Sequence, residues 1–193
     1  IKVVPLTVKH EGHSRDLLFI RDQIQGFYTN EKVIAKDRKV DIISSYSDKN
    51  FKILVNLYKY AIKKFKFKVD KLIFIYKFHI VGIELQKMID RTMKKSGLKV
   101  NYKIYQPDSG LHYLLHDMYR DKDAQRIAII CGNEIGDVLL ETLVHFYGIG
   151  TKETIFTANI VTGKKNIEAL QTMHGSADDV AGKGLVNPIA TLK

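Results

Sequence analysis

The segment at residues 127–133 reads IAIICGN, a short and fully apolar run that ends at a glycine and an asparagine. Such a run is typical of a buried strand, and a helical pattern of apolar positions follows it from about 135 to 146. Strands are likewise predicted upstream, at 71–76 and at 99–105. The order of a strand followed by a helix therefore recurs along the chain.

Predicted helices fill the intervals between these strands. Between residues 48 and 66 the apolar positions fall at steps of three and four, and Ser47 or the residue after it is placed to cap the first turn. Further helices are predicted at 81–95, ending at Gly97, and at 111–119. This alternation indicates an α/β fold with at least some parallel pairing in its sheet.

The flanking parts of the chain have other patterns. Residues 17–20 form a short apolar run that predicts a buried strand, with Arg21 delivered at its far end. Two strands at 32–35 and 40–47, joined by a charged loop, indicate a hairpin. The stretch 148–175 is rich in Thr, Gly, Asn and Lys and is predicted to be irregular.

The chain of 193 residues is 45% hydrophobic, which is enough to build a substantial core. Lys and Arg number 31 against 21 Asp and Glu, a formal charge of +10, and only six of the basic residues are Arg. Lysine spread through the chain favours a solvated surface over a site that reads nucleic acid, for which Arg and aromatic platforms are typical. A single cysteine, Cys131, excludes an internal disulfide, and the longest apolar stretch, 72–83, is interrupted by Lys77 and His79 and is too short to span a membrane.

The most specific stretch is residues 174–188, HGSADDVAGKGLVNP. It resembles the adenine-side nucleotide loop of the isocitrate and isopropylmalate dehydrogenase family, His-Gly-Ser/Thr-Ala-Pro-Asp-Ile-Ala-Gly-Lys followed by Asn-Pro. Three further segments resemble family motifs in the same order, namely 19–28, 74–80 and 132–141. By pattern, the NAD-dependent mitochondrial isocitrate dehydrogenase subunits are the closest match, with departures at the active site.

The resemblance implies an isopropylmalate dehydrogenase-like fold, a mostly parallel sheet flanked by helices, with a small α/β domain and a clasp hairpin. Residues 1–20 and 126–193 would form part of the large, nucleotide-side domain, and 21–125 the small domain, with the clasp at about 29–47. The first strand-helix units and the last helices of the family's large domain have no counterpart in the chain. We therefore expect a portion of a two-domain subunit, located on the matrix side of the mitochondrion, whose exposed edges are covered by partner subunits.

The resemblance also assigns the residues of a reaction that oxidises and decarboxylates a 2-hydroxy acid. Asp108, Asp137 and Glu141 match the three carboxylates that hold Mg or Mn, although the family has Asp where Glu141 stands. Lys77 and Tyr28 match the acid/base pair. A solvated acidic face and a lysine reaching into solvent are the alternative interpretations of these groups.

Arg21 matches an arginine that grips the carboxylates of the substrate. In the nucleotide loop the cofactor-binding residues would be His174, Gly175, Asp179, Val180 and Asn187, with the Asp179 carboxylate favouring NAD over NADP.

Departures from the family pattern concern the substrate side. Val4 stands where the resemblance places a second arginine, and an apolar side chain cannot hold a carboxylate. Residues 22–25, Asp-Gln-Ile-Gln, replace Glu-Asn-Thr-Glu, and His79 replaces an asparagine. Asp178 replaces the proline of the nucleotide loop, so retention of NAD and of the metal stays open.

The sequence is compatible with three functions. The first is a subunit without catalysis, with a structural or regulatory role in a larger mitochondrial assembly such as a respiratory or ATP synthase complex. The second is a working or regulatory subunit of NAD-dependent isocitrate dehydrogenase, whose active sites the family shares between subunits. The third, a basic protein that binds nucleic acid or anionic lipid, lacks clustered arginine, so no nucleic acid is expected and membrane contact would be indirect.

Overall fold

A computed structural model describes residues 1–29, 32–149, 156–161, 167–172 and 182–184. The strands in these ranges are β1 Lys2–His10, β2 His13–Arg21, β3 Lys32–Lys36, β4 Lys39–Ile43, β5 Lys71–Ile75, β6 Asn101–Tyr105, β7 Arg126–Cys131, β8 Phe156–Val161 and β9 Ile167–Thr172. The helices are α1 Asp48–Lys64, α2 Phe78–Val81, α3 Ile83–Ser96, α4 Pro107–His112 and α5 Asn133–Phe146, with a 3-10 turn at Gly26–Tyr28 and a π-helical turn at Tyr113–Asp117.

Seven strands form one sheet in the order β6-β5-β7-β2-β1-β8-β9. β6, β5, β7 and β2 run parallel to one another, and β1, β8 and β9 extend the sheet in antiparallel pairs. Helices cover both faces of the parallel half, so the predicted α/β fold is confirmed. β5 and β6 belong to the predicted small domain, but they lie in the same sheet as β1, β2, β7, β8 and β9. The division of the chain into two domains stays a prediction.

Two apolar cores lie on the two faces of the sheet because successive strand residues point to opposite sides. Leu72 and Phe74 pack into the core under α1 and α3, whereas Ile73 and Ile75 pack into the core under α5. Every residue of β5 is buried, as expected of a parallel strand covered on both faces.

The ends of the helices follow their sequence signals. The Ser47 hydroxyl accepts a hydrogen bond from the Asn50 backbone N–H at 3.2 Å, which confirms Ser47 as the cap of α1. Gly97 ends α3 in the left-handed conformation at φ 68°, as predicted. The helix predicted to begin at 81 is divided, because Gly82, at φ 80°, separates α2 from α3.

Three local expectations were wrong or incomplete. The stretch 148–175 is not wholly irregular, since β8 and β9 lie within it and add a hairpin to the edge of the sheet. β1 was not predicted at all. The helix expected at 111–119 begins earlier, at Pro107, and continues as the π-helical turn.

β3 and β4 form a separate two-stranded sheet, which confirms the predicted hairpin, although the second strand ends at Ile43 and not at residue 47. Large apolar side chains are exposed on it: Val33, Ile34, Val40, Ile42 and Ile43 are between 38% and 61% accessible. An apolar surface of this kind on a soluble protein usually marks a contact with another chain. None of the helices within the described residues has the length and apolar character to cross a membrane.

Candidate functional site at the carboxyl edge of the parallel strands

The four parallel strands end in register, so the residues that follow them collect at one edge. Arg21 at the end of β2 pairs with Cys131 of β7, and Ile75 of β5 pairs with Cys131 on one side and with Tyr105 of β6 on the other. In open α/β sheets, ligands bind outside this carboxyl edge. The geometry therefore provides one shared location for the predicted site residues.

The structure brings several of them to this edge. Lys77 follows β5 and its side chain is exposed, and Asp108 is exposed in the first turn of α4, directly after β6. Asp137 and Glu141 lie on α5, the helix that follows β7. Tyr28 closes the 3-10 turn after β2, but its side chain lies outside the described part of the structure.

Arg21 forms an ion pair with Asp137, in which an Nη1 hydrogen is donated to Oδ1. The Arg21 side chain is only 11% exposed, whereas that of Asp137 is 57% exposed. Gly136 makes room for this arrangement, because a Cβ at this position would lie 2.7 Å from Cγ of Arg21. The predicted substrate-binding arginine therefore contacts a predicted metal ligand directly.

The predicted metal ligands are only partly brought together. Asp137 and Glu141 are one helical turn apart on α5 and face the same side. Nowhere in the described ranges do three His, Cys, Asp or Glu side chains form a group that could hold a metal ion, and Asp108 does not join the other two. Carboxylate oxygens suit Mg or Mn chemically, but of the three predicted ligands only Asp137 and Glu141 lie together, and Arg21 already contacts Asp137. The metal site stays a prediction.

A buried network beside this edge was missed by the sequence reasoning. The Asp22 carboxylate, in a residue 1% exposed, accepts hydrogen bonds from the Ile24 N–H at 3.0 Å, from Gln25 Nε2 at 2.8 Å and from the Tyr76 hydroxyl at 2.9 Å. Burial raises the pKa of the Asp22 carboxyl above its usual value, although the hydrogen bonds act in the opposite direction. The only sequence signal is position, since Asp22 follows Arg21 and Tyr76 precedes Lys77.

Gln25 extends the network toward the start of α1. Its Oε1 accepts from the Ser47 N–H at 3.2 Å, while its Nε2 donates to Asp22. Ser47 is also the cap of α1, and Asn50 in the first turn of that helix donates to the Ile24 carbonyl at 3.2 Å. Residues 22–25 thus hold the loop after β2 against the start of α1, so this segment has a structural role here.

Val4, which stands where the resemblance places an arginine, is buried. It lies on β1 opposite Phe19, is 1% exposed and belongs to the apolar core under α5 together with Leu139 and Leu140. Cys131 packs in the same core, and burial raises the pKa of its thiol. At this position the chain supplies packing and no charge for a substrate carboxylate.

His174, Gly175, Asp179, Val180 and Asn187 lie outside the described residues, so their role stays a prediction.

The family model for isocitrate/isopropylmalate dehydrogenase matches residues 2–193. The chain belongs to the isocitrate/isopropylmalate dehydrogenase family. Among curated proteins it is 26% identical over 189 residues to an isocitrate/homoisocitrate dehydrogenase of Pyrococcus horikoshii, covering 92% of this chain and 48% of the relative. It is also 34% identical over 87 residues to a 3-isopropylmalate dehydrogenase of Burkholderia thailandensis, covering 40% of this chain and 23% of the relative. The chain thus spans about half the length of the Pyrococcus relative.

Solved structures support the same fold. An isocitrate dehydrogenase from Methylococcus capsulatus superposes with a TM-score of 0.71 at 17% identity, covering 99% of this chain and 56% of that one. At this identity the likeness concerns the fold alone.

Proposed function

We propose that the chain is an isocitrate dehydrogenase-like subunit that has lost catalysis and serves a structural or regulatory role in a larger mitochondrial assembly, with a respiratory or ATP synthase complex as the candidate host. The mitochondrial location, on the matrix side, rests on the motif resemblance. The partners would be subunits of the same family or of the host complex.

The observation that carries this proposal is the burial of Val4. A substrate with several carboxylates needs several cationic side chains, and charge-assisted contacts to arginine are the strongest available. One of these positions is filled by an apolar side chain packed in the core, and the remaining arginine, Arg21, is engaged by Asp137. Substrate binding by this chain alone would therefore lack an essential contact and compete with an existing one.

The exposed apolar hairpin supports the role in an assembly. Its strands carry five large apolar residues that are at least 38% exposed, and the same hairpin is the clasp that the resemblance predicts. Covering this surface with a partner would remove it from water. Contact with a partner is thus favoured whether or not the subunit is catalytic.

A working subunit of NAD-dependent isocitrate dehydrogenase is the second candidate. It is supported by the collection of Arg21, Lys77 and Asp137 at one edge of the sheet. In that case a partner subunit would complete the site, NAD would be held by the loop at 174–188, and Mg or Mn would be held by the carboxylates.

One pair of experiments separates the two candidates. The tagged chain is purified from its source, its partners are quantified by mass spectrometry, and reduction of NAD is measured with isocitrate and Mg. The structural proposal expects stoichiometric recovery with a large complex and no NADH above that of a Lys77→Met variant. Activity in the wild-type preparation that Lys77→Met abolishes and an exposed-site control, Lys103→Met, retains would establish the working subunit instead.

A further inference from the structure

The positive charge of the chain is concentrated in one structural unit. Residues 48–99, which comprise α1, β5, α2 and α3, contain 14 of the 31 Lys and Arg residues and 4 of the 21 Asp and Glu residues. This segment alone therefore carries a formal charge of +10, and the rest of the chain is formally neutral. The expectation that the excess lysine is spread through the chain was wrong, and the charge needs a local explanation.

A groove of about 480 Å³ lies between α1 and α3, on the opposite face of the sheet from α5. Its volume falls in the range of small-molecule binding sites. Its charged lining residues are five cations and one carboxylate: Lys49, Lys52, Lys59, Arg91, Lys95 and Asp48. Val55 and Thr92, both buried, also line it. The groove is thus a concave cationic surface.

Two of the cations are already engaged. Lys59 donates from Nζ to the Ser96 carbonyl at 2.9 Å, at the end of α3, and Arg91 binds Asp48 through Nε and Nη2 at 3.2 and 3.1 Å. Arg91 neutralises the one carboxylate of the lining, so an incoming anion meets no uncompensated negative charge there. Lys59 and Arg91 hold the two helices together and shape the groove.

Three cations remain for a ligand. Lys49, Lys52 and Lys95 are exposed and form no ion pair with any carboxylate in the described ranges. Lys95 is in the last turn of α3, where a cation also stabilises the helix. Lys49 is in the first turn of α1, where a cation faces the positive end of the helix dipole and is unfavourable. The position of Lys49 is therefore not explained by helix stability.

The chemistry of the lining selects among anions. A lysine ammonium acts as a point charge and binds phosphate well, whereas planar carboxylates are best held by the fork of an arginine, and the one arginine here is engaged. Among the described residues that line the groove, none is an aromatic on which a nucleobase could stack. We propose that the groove between α1 and α3 binds a compact oligophosphate, recognised by its phosphates through Lys49, Lys52 and Lys95.

The test measures binding of inorganic tripolyphosphate to the purified full chain by isothermal titration calorimetry at low salt. Replacing Lys49, Lys52 and Lys95 with Gln should weaken binding by about tenfold or more, because three charge-assisted contacts are lost. The control replaces Lys9, Lys36 and Lys103 with Gln, which removes the same charge from exposed positions elsewhere. It should change the affinity by less than about threefold, the effect of long-range charge at low salt. Equal losses in both variants, or no binding to the wild type, would overturn the proposal.

Competing ligands separate the possible sources of the anion. ATP should bind in the same way as tripolyphosphate, and AMP and citrate much more weakly. Binding of ATP without tripolyphosphate would show recognition of the base, and preference for citrate would show a carboxylate site, so either result would refute the assignment. If a single-stranded RNA displaces tripolyphosphate and binds more tightly, the groove is a nucleic-acid surface and the proposal of an oligophosphate site is wrong.

A second measurement uses the wild-type chain, in case the triple variant does not fold. Tripolyphosphate should protect Lys49, Lys52 and Lys95 from acetylation in a mass-spectrometric footprint, while Lys9 and Lys103 are labelled as before. Unchanged labelling of the three groove lysines would count against the site. Neither measurement depends on dehydrogenase activity, so its failure would leave the proposed function untouched.

Discussion

The guanidinium of Arg21, at the end of β2, donates a hydrogen bond to the carboxylate of Asp137 on α5. The family resemblance gives these two side chains different tasks, substrate binding for Arg21 and metal binding for Asp137. Their direct contact means that a cation approaching Asp137 has to displace a positive charge that is already there. The pair therefore opposes both tasks in the isolated chain.

Arg21→Gln is expected to strengthen the binding of Mn²⁺ to the carboxylates of α5. Mn²⁺ bound at Asp137 and the guanidinium of Arg21 are both positive and would repel each other at contact distance. Removing the guanidinium should therefore lower the dissociation constant of Mn²⁺ by roughly tenfold. Mn²⁺ binding is measured by electron paramagnetic resonance of the free ion. Arg120→Gln, an exposed arginine away from this edge, serves as the control, and equal Mn²⁺ affinity in all three proteins would show that the ion pair does not mask the site.

Asp22 should make stability depend on pH above its ordinary pKa. Burial raises the pKa of Asp22 in the folded state above the ordinary value of 3.8. The contribution of Asp22 to stability is therefore fully present below pH 3.8 and is lost as the pH rises through the raised folded-state pKa. Asp22→Asn has no such titration. The free energy of unfolding, measured in urea from pH 4 to 8, should therefore fall for the wild type relative to the variant as pH increases. Parallel curves would show that the folded carboxyl titrates as it does in the unfolded chain.

The ion pair between Asp70 and Arg126 lies at the amino ends of the parallel strands. It should make stability depend on pH in the opposite direction to Asp22. Asp70 accepts from the Arg126 backbone N–H at 2.9 Å and from Nε and Nη2 of its guanidinium at 3.2 and 2.9 Å. The hydrogen bonds from Arg126 lower the pKa of Asp70.

The contribution of Asp70 to stability is therefore fully present above pH 3.8, the ordinary pKa of the carboxyl, and is lost as the pH falls through the lowered folded-state pKa. Asp70→Asn should cost about 1 kcal/mol at neutral pH, a value discounted for partial exposure of the pair. The cost should shrink in acid, as followed by thermal unfolding. Asp123→Asn, in an exposed turn of the same region, should be neutral throughout.

The hairpin formed by β3 and β4 is expected to mediate self-association or contact with a partner. Val40→Lys combined with Ile42→Lys places charge on its exposed apolar surface and should release a smaller species in sedimentation velocity. Both residues are more than 40% exposed, so the melting temperature of that smaller species should change little. If the wild type already sediments as a monomer and binds no partner, the exposed hairpin has another explanation.

Gly136 is expected to be intolerant of a side chain. Gly136→Ala would place Cβ at 2.7 Å from Cγ of Arg21 and 3.0 Å from the Cys131 Sγ, and the overpacking should cost about 1–3 kcal/mol despite the better helix propensity of alanine. Val138→Ala, at an exposed position on the same helix, should be close to neutral. Equal melting temperatures for the two variants would show that the site relaxes freely.

The sequence predicts those parts of the fold whose signals are local. Gly97 ends a helix because glycine readily adopts the left-handed conformation, and the apolar runs of β5 and β7, each preceded by one basic residue, follow from burial on both faces. β1 was not predicted, and it contains Pro5, a residue that is uncommon in an interior strand. In the structure β8 pairs with β1 only at Lys2 and Val3, so Pro5 lies beyond the ladder that would have needed its N–H.

The site is predicted less completely, for a physical reason. Motif resemblance names Arg21 and Asp137 separately, but their contact depends on how α5 crosses the end of β2. The link between Asp22 and Tyr76 likewise joins residues 54 positions apart. Pairings of this kind depend on tertiary packing, and no spacing in the sequence encodes them.

The burial of Val4 also limits which residues position 4 can accept. Val4→Arg would place a guanidinium among Phe19, Leu139 and Leu140 without a partner, and an unpaired buried charge is among the most destabilising of substitutions. In any sequence that packs the core in this way, a change from valine to arginine would lower the stability of the fold. Selection for a stable core would by itself disfavour that change, whatever its effect on substrate binding.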